Sequence, residues 1–191
     1  IRDSSGNSGK DFWGLAAIIS ASDPSVANFG GIDRDTYAYW KPKAKAATTG
    51  DTLALTDMAN VYNGASEGND HPTNVFTTQL GFEAYEALLT SQKRFEDTAM
   101  ADAGFQNLMY KGAPITFDTY ADVASTTEAN APMWFVNLKY IKLKTLSGVW
   151  FDPSDLLQPT NQDVFYKHLK CYGQLVASNV KRQGVLYDIH A

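Results

Sequence analysis

The sequence predicts an α+β fold, and three observations carry the prediction. Apolar residues at helical spacing occur twice in the first half of the chain, around 55–62 and 82–89. The second half is a series of short β-branched and aromatic runs bounded by turn residues. Irregular loops, and not regular crossover helices, separate those runs, which argues against a doubly wound nucleotide fold.

Taken in order, Ile1 to Lys10 is polar and rich in Gly and Ser and reads as a loose end. Trp13 to Ile19 is a short apolar run, expected as a buried strand or a tucked-in turn. Ser20 to Phe29 is loop-like around Asp23-Pro24. Gly30-Gly31 permits a tight backbone path. Lys41, Lys43 and Lys45 around Pro42 read as an exposed, solvated loop. Leu55, Met58, Ala59 and Tyr62 form one face of an amphipathic helix, with Gly64 and Gly68 ending it. Asn74 to Thr78 has strand character. A second helix follows, with Phe82, Tyr85, Leu88 and Leu89 on one face and Glu83 and Glu86 off it.

Beyond it, Phe105 to Tyr110 is expected as a strand, Lys111-Gly112 as a turn and Ile115 to Phe117 as the continuation. Ala121 to Ala131 is a polar loop. Met133 to Val136 and Tyr140 to Leu143 read as a hairpin or two adjacent strands. Asp152-Pro153 opens a loop that Pro159 closes. Asp163 to Ala177, aromatic and apolar without helical rhythm, reads as one long strand or two short ones. Lys181 to Gly184 makes a turn before a final strand, Val185 to Ile189. No internal repeat is visible.

Length and composition bound the function. At 191 residues, the chain can bury one sizeable core, or a core and a small second unit. Apolar residues make up 44% and charged residues 19%, a balance that excludes wholesale disorder. Ten Tyr, ten Phe and four Trp supply large contact areas, for a core or for subunit interfaces. The net charge of −5 gives no support for a backbone grip on nucleic acid. Cys171 is the single cysteine, so no intrachain disulfide can form. No apolar run approaches the roughly 20 residues of a membrane span, and no basic leader precedes an apolar stretch. The chain begins with Ile1 and not Met, and reads as a processed product or part of a longer one.

The local signatures of catalysis are missing. The sequence has no GxxxxGK[ST], GxGxxG, GxSxG, HExxH or CxxC. His71, beside Asp70, reads as a loop residue. On a strand, His168 and Cys171 would point to opposite faces, and Cys171 is expected buried and inert. His190 is next to the C-terminus. Glu83 and Glu86 are a carboxylate pair of the kind that glycoside hydrolysis uses, but their place beside an apolar stripe marks a solvated face. Asp118 and Asp122 have no better frame. No catalytic, cofactor-binding or metal-binding residue is assigned, and no cofactor is expected.

Several stretches together resemble one family. They are FGGIDRDTYAYW (Phe29 to Trp40), NVYNGASEGNDHPTNVFTTQLGFEAYEALL (Asn60 to Leu89) and ADAGFQNLMYKGAPITFD (Ala101 to Asp118). MWFVNLKYIKL (Met133 to Leu143) and NVKRQGVLYDI (Asn179 to Ile189) complete the set. In order and spacing they resemble the C-terminal two-thirds of a tailed-bacteriophage major capsid protein. The resemblance implies the Hong Kong 97-type fold, mainly its axial domain plus C-terminal strands of its peripheral domain. On that basis residues 1–12 are a flexible stretch and 13–45 connect the peripheral to the axial domain. Residues 46–150 form the axial domain, and 151–191 are strands returning to the peripheral domain. The family's N-terminal arm, extended loop and spine helix have no counterpart in the sequence.

The resemblance further implies a structural subunit of an icosahedral phage or prophage capsid, not an enzyme. Identical subunits would close into pentamers and hexamers around DNA held without sequence-specific contact. Scaffolding, portal or decoration proteins are the other partners it implies, with assembly in the bacterial host cytoplasm and residence in the virion. Expected interface elements are Phe29 to Lys45, Gly64 to Pro72 and Ala121 to Ala131. An encapsulin-like nanocompartment shell is the alternative within the same fold. A small hydrolase using an Asp/Glu pair and a monomeric binding module are the alternatives outside it.

Overall fold

The computed structural model describes residues 12–19, 28–47, 52–90, 108–119, 121 and 131–189. Among them a six-stranded mixed sheet carries two helices on one face and a second apolar layer on the other. The strands are β3 (Lys43–Ala46), β4 (Asn74–Thr77), β5 (Leu108–Tyr110), β6 (Ala113–Phe117), β7 (Ala131–Val136) and β12 (Gly184–Ile189). Their order across the sheet is β3-β12-β7-β4-β6-β5. The β3–β12 and β4–β6 pairs are parallel and the other three antiparallel.

The helix face follows the expected amphipathic pattern. Helix α2 (Leu55–Ala65) buries Met58, Val61, Tyr62 and Ala65, and helix α3 (Gln79–Thr90) buries Tyr85 with Phe82, Leu88 and Leu89 half-buried around it. Leu55, assigned to the apolar face, is exposed. The buried stripe is turned toward Asp57 instead, because the 2.7 Å ion pair between Asp57 and Lys45 of β3 draws that side of α2 onto the sheet edge. Asp57 also places negative charge in the first turn of α2, where the helix dipole favours it. Gly64 lies inside the helix and Ser66 caps it, its hydroxyl donating to the Tyr62 carbonyl at 2.7 Å.

The lysines expected in a solvated loop belong to a strand. Lys43 and Lys45 sit on the helix face of β3, with the Lys43 stem packed where a Cβ on Gly64 would stand. Long stems cover apolar surface while their charged ends reach water or a carboxylate. Lysines at a sheet edge also discourage pairing with a foreign strand. Only Lys41, paired with Asp35 at 2.7 Å, stays at the surface as expected.

Strand β7 is buried on both faces. Met133 and Phe135 face the helices, and Trp134 and Val136 face the second layer. There Trp134 packs with Val185, Phe76 and Ala44 of neighbouring strands and with the single helical turn α1 (Leu15–Ile18). The Trp13 to Ile19 run is thus a turn of helix and not a strand. Its C-terminal carbonyls accept from the buried Arg34 guanidinium, at 2.6 Å for Ile18. Strands β1 (Asn28–Phe29) and β2 (Ile32–Asp33) form a hairpin across Gly30 and Gly31, whose φ angles of 65° and 77° require a residue without a Cβ penalty.

Gly184 marks the closest approach of α2 to the sheet. A Cβ there would stand 2.5 Å from Cγ1 of Val61, which is fully buried and has no room to yield. Gly184→Ala is therefore expected to lose about 2 kcal/mol of stability by overpacking. Urea denaturation measures it, and a loss under a few tenths would show that α2 can move away freely.

The hairpin or adjacent strand pair expected from 133–136 and 140–143 does not form. The chain leaves the sheet after β7, and β8 (Ile141–Thr145) pairs antiparallel with β11 (Gly173–Ala177). Further out, β9 (Asp152–Pro153) pairs with β10 (Leu169–Lys170), so 163–177 contains two short strands. The boundary expected at 150/151 falls inside this excursion, and the last strand of 151–191, β12, is an interior strand of the main sheet. Phe105, residues 122–130 and the expected loose end lie outside the described residues.

Candidate assembly surface

Among the described residues, the ionisable groups singled out in the sequence do not converge. His71 is exposed, its ring stacked 6.0 Å from that of Tyr62. Glu83 and Glu86 lie on the outer face of α3, where Glu83 accepts from Gln79 at 2.8 Å. His168 is exposed against the Tyr166 ring, and Cys171 is half-buried, not buried as expected. Asp118 follows β6, while Asp122 and His190 lie outside the described residues. Among the described residues no group of three His, Cys, Asp or Glu is placed to hold a metal ion. None of their helices is long and apolar enough to cross a membrane.

What the structure brings together is apolar surface. The β8/β11 ribbon is anchored at its base, where Ile141, Leu175 and Ala177 pack on the second layer of the core. The Trp13 amide donates to the Gln174 side chain at 2.7 Å, and Phe12 stacks on Trp150 at 6.2 Å. Beyond that base the ribbon has no core of its own. Backbone bonds from Ser154 to His168 and between Leu157 and Tyr166 extend a thin hairpin over 152–170. Leu146, Phe151, Leu156, Phe165, Leu169 and Tyr172 are each 56–62% exposed along it.

More than half of each of these six side chains is open to water. A two-stranded hairpin alone is marginal in water, and this one carries its apolar side chains without a covering layer among the described residues. A second exposed aromatic pair, Tyr37 and Tyr39 with rings 5.6 Å apart, stands on the expected 29–45 interface segment. Asp33 shapes that segment by accepting from the Thr36 hydroxyl at 2.6 Å and the Asp35 amide at 2.9 Å, which holds its carboxyl below the usual carboxylate range.

The ribbon joins the sheet through a polar neck. Gln183, fully buried, accepts from the Asn137 amide at 2.8 Å and donates to the Asn137 carbonyl at 3.2 Å. Asp70, on the expected 64–72 loop, accepts from the Tyr140 hydroxyl, from Lys139 Nζ at 3.3 Å and from the Asn137 side chain at 3.4 Å. The Tyr140 hydrogen bond, with smaller help from Lys139 and Asn137, holds the Asp70 carboxyl below its ordinary value. The sequence places Asp70 beside His71 in an expected interface loop and gives the ribbon as strands around a 152–159 loop, with no sign that Asp70 meets the strand at 141. The signal that marks the ribbon is aromatic density without any periodicity.

No protein-family model and no curated protein sequence matches the chain. Solved structures do. The chain superposes on a subunit of the cyanophage A-1(L) capsid asymmetric unit with a TM-score of 0.62 at 16% identity, over 97% of this chain and 62% of that one. It also superposes on the SrpI encapsulin complex of Synechococcus elongatus PCC 7942 with a TM-score of 0.58 at 9% identity, over 87% of this chain and 59% of that one. The chain has the Hong Kong 97-type fold.

Both neighbours with the Hong Kong 97-type fold belong to capsid-like shells, one viral and one an encapsulin. The chain spans about three-fifths of the length of each. In this frame the mixed sheet with α2 and α3 is the compact body, and the ribbon is what projects from it.

Proposed function

We propose that this chain is a structural subunit of a self-assembling shell, and that the shell is a phage or prophage capsid enclosing a genome. The observation that carries the reading is an uncovered apolar ribbon on a Hong Kong 97-type body. Large apolar surface retained by a folded chain is the usual mark of an obligate subunit interface. The sheet unit and its helices are assigned to the axial part of the subunit, and the 141–177 excursion to the peripheral part that meets neighbouring capsomers. The Tyr37/Tyr39 pair is a second contact. Repetition of such contacts around closed rings makes individually modest interfaces cooperative. The phage reading is preferred because the order and spacing of the stretches from Phe29 to Ile189 resemble the tailed-phage capsid family.

An encapsulin-like compartment is the second reading, favoured by the encapsulin superposition. The two differ in contents. Electron microscopy of the full-length product expressed alone is expected to show closed shells or capsomer rings. Shells purified from the native host are expected to carry DNA. Shells filled with one abundant enzyme and free of DNA would transfer the assignment to the compartment. A uniformly monomeric product, with turnover of some substrate, would remove both readings.

A further inference from the structure

The chain passes between body and ribbon twice, at 137–140 on the way out and at 178–183 on the way back. The two passes are tied to each other: the Ser178 amide donates to the Tyr140 carbonyl at 2.9 Å, and Gln183 bonds to both Asn137 and Asn179. The outgoing pass is tied to the 66–73 loop of the body by the Asn137 side chain donating to the His71 carbonyl at 2.9 Å, by the Leu138 amide donating to the Thr73 hydroxyl at 3.2 Å, and by Asp70, the one side chain there that accepts from three residues of the pass. Asp70 sits on the loop between α2 and β4, and its carboxylate collects donors from Asn137, Lys139 and Tyr140, all on the outgoing pass. That loop is itself braced, by paired backbone bonds between Glu67 and Asp70 at 2.9 and 3.0 Å and by an ion pair from Glu67 to Arg182 on the returning pass.

We propose that Asp70 is the positioning residue of this neck, fixing the direction in which the apolar ribbon leaves the sheet. The division of labour supports it. Gln183 and the fully buried Val180 close the core beneath the neck, and Gln183 makes no direct hydrogen bond to Asp70, which it meets only through Asn137. Asp70 is instead half-buried at the edge of the neck and acts on Tyr140, the residue immediately before β8. A carboxylate is the group suited to the place, because it offers only acceptors to three converging donors. An asparagine would turn an NH₂ toward one of them. Charge-assisted hydrogen bonds of this kind are about twice as strong as neutral ones. The consequence for assembly rests on the shell reading: the neck would set the angle between body and ribbon, and with it the curvature of the shell.

The test uses the full chain and amide hydrogen exchange read by mass spectrometry, with Asp70→Asn and Tyr140→Phe. Both variants are expected to speed exchange at 141–145 and 173–177 by about tenfold, with 131–136 and 184–189 unchanged. The double variant is expected to add little to Asp70→Asn, because both changes break one hydrogen bond. Unchanged ribbon exchange in both single variants would overturn the proposal. So would equal loss of protection in sheet and ribbon, which would make Asp70 a general support of the fold. If Asp70→Asn does not fold, Tyr140→Phe, which removes only a hydroxyl, decides the matter alone. In assembled material, Asp70→Asn is expected to broaden the distribution of shell diameters. Failure of the wild-type chain to assemble counts against the shell reading alone, and the exchange experiment still decides the role of Asp70.

Discussion

Replacing Phe151, Phe165 and Leu169 together by aspartate is expected to abolish shell formation and leave a folded, unassembled subunit. The three side chains are 56%, 58% and 62% exposed, so the subunit itself gains little from them. In a shell they are buried, and each fully buried large apolar side chain contributes about 1.5–3 kcal/mol. Only the exposed three-fifths of each remains to be buried, so loss of all three removes about 3–5 kcal/mol from every contact, or about two to four orders of magnitude in affinity at about 1.4 kcal/mol per tenfold. Aspartate makes the loss larger, because a buried, unpaired carboxylate has to be desolvated. Light scattering and electron microscopy read the assembly, and circular dichroism with thermal melting reads the fold. Wild-type shells from the triple variant would remove the ribbon from the interface. A melting point far below wild type would mean that the ribbon is covered by its own chain and not by a neighbour.

Phe135→Ala is expected to cost about 4 kcal/mol, the largest single loss to stability in the body. Phe135 is fully buried on the central strand β7, facing both helices. The edges of Tyr62 and Tyr110 meet its ring at centroid distances of 6.5 and 6.3 Å, with interplanar angles of 81° and 74°. Truncation forfeits the transfer energy and both edge-to-face contacts. It also leaves a hole that the strand cannot close, because β12 and β4 flank β7 on either side. For a chain of this length the melting point falls by roughly 10 °C. Urea denaturation with an unchanged m-value checks the number. Phe135→Leu, which keeps most of the volume, is expected to lose well under half as much. A loss below about 1 kcal/mol for Phe135→Ala would show that the two tyrosines collapse into the space.

The parts of the fold legible in the sequence are those decided within a few residues. Helices α2 and α3 follow from apolar spacing, and the β5–β6 hairpin from Lys111-Gly112, which turn at φ angles of 48° and 84°. The β1–β2 turn follows from Gly30-Gly31 in the same way. Elements decided by distant partners were not legible. Lys43 to Ala46 becomes a strand because β12, far along the chain, offers it a parallel edge, and its lysines are held by α2. The order of β7 and β8 along the chain suggests a hairpin, yet β8 finds β11 because the intervening neck turns it away.

The candidate site divides along the same line. Composition and pattern determined that this chain is an α+β protein rich in aromatic contact surface, with none of the familiar catalytic motifs, and the shell-type fold entered only through the resemblance of its stretches to one family. Which of those aromatics are core and which are uncovered was decided only by tertiary structure. The hydrophobic tendency of Phe135 and of Phe165 is the same. What separates them is whether the chain can fold another layer over the residue, and that depends on contacts that no local pattern encodes.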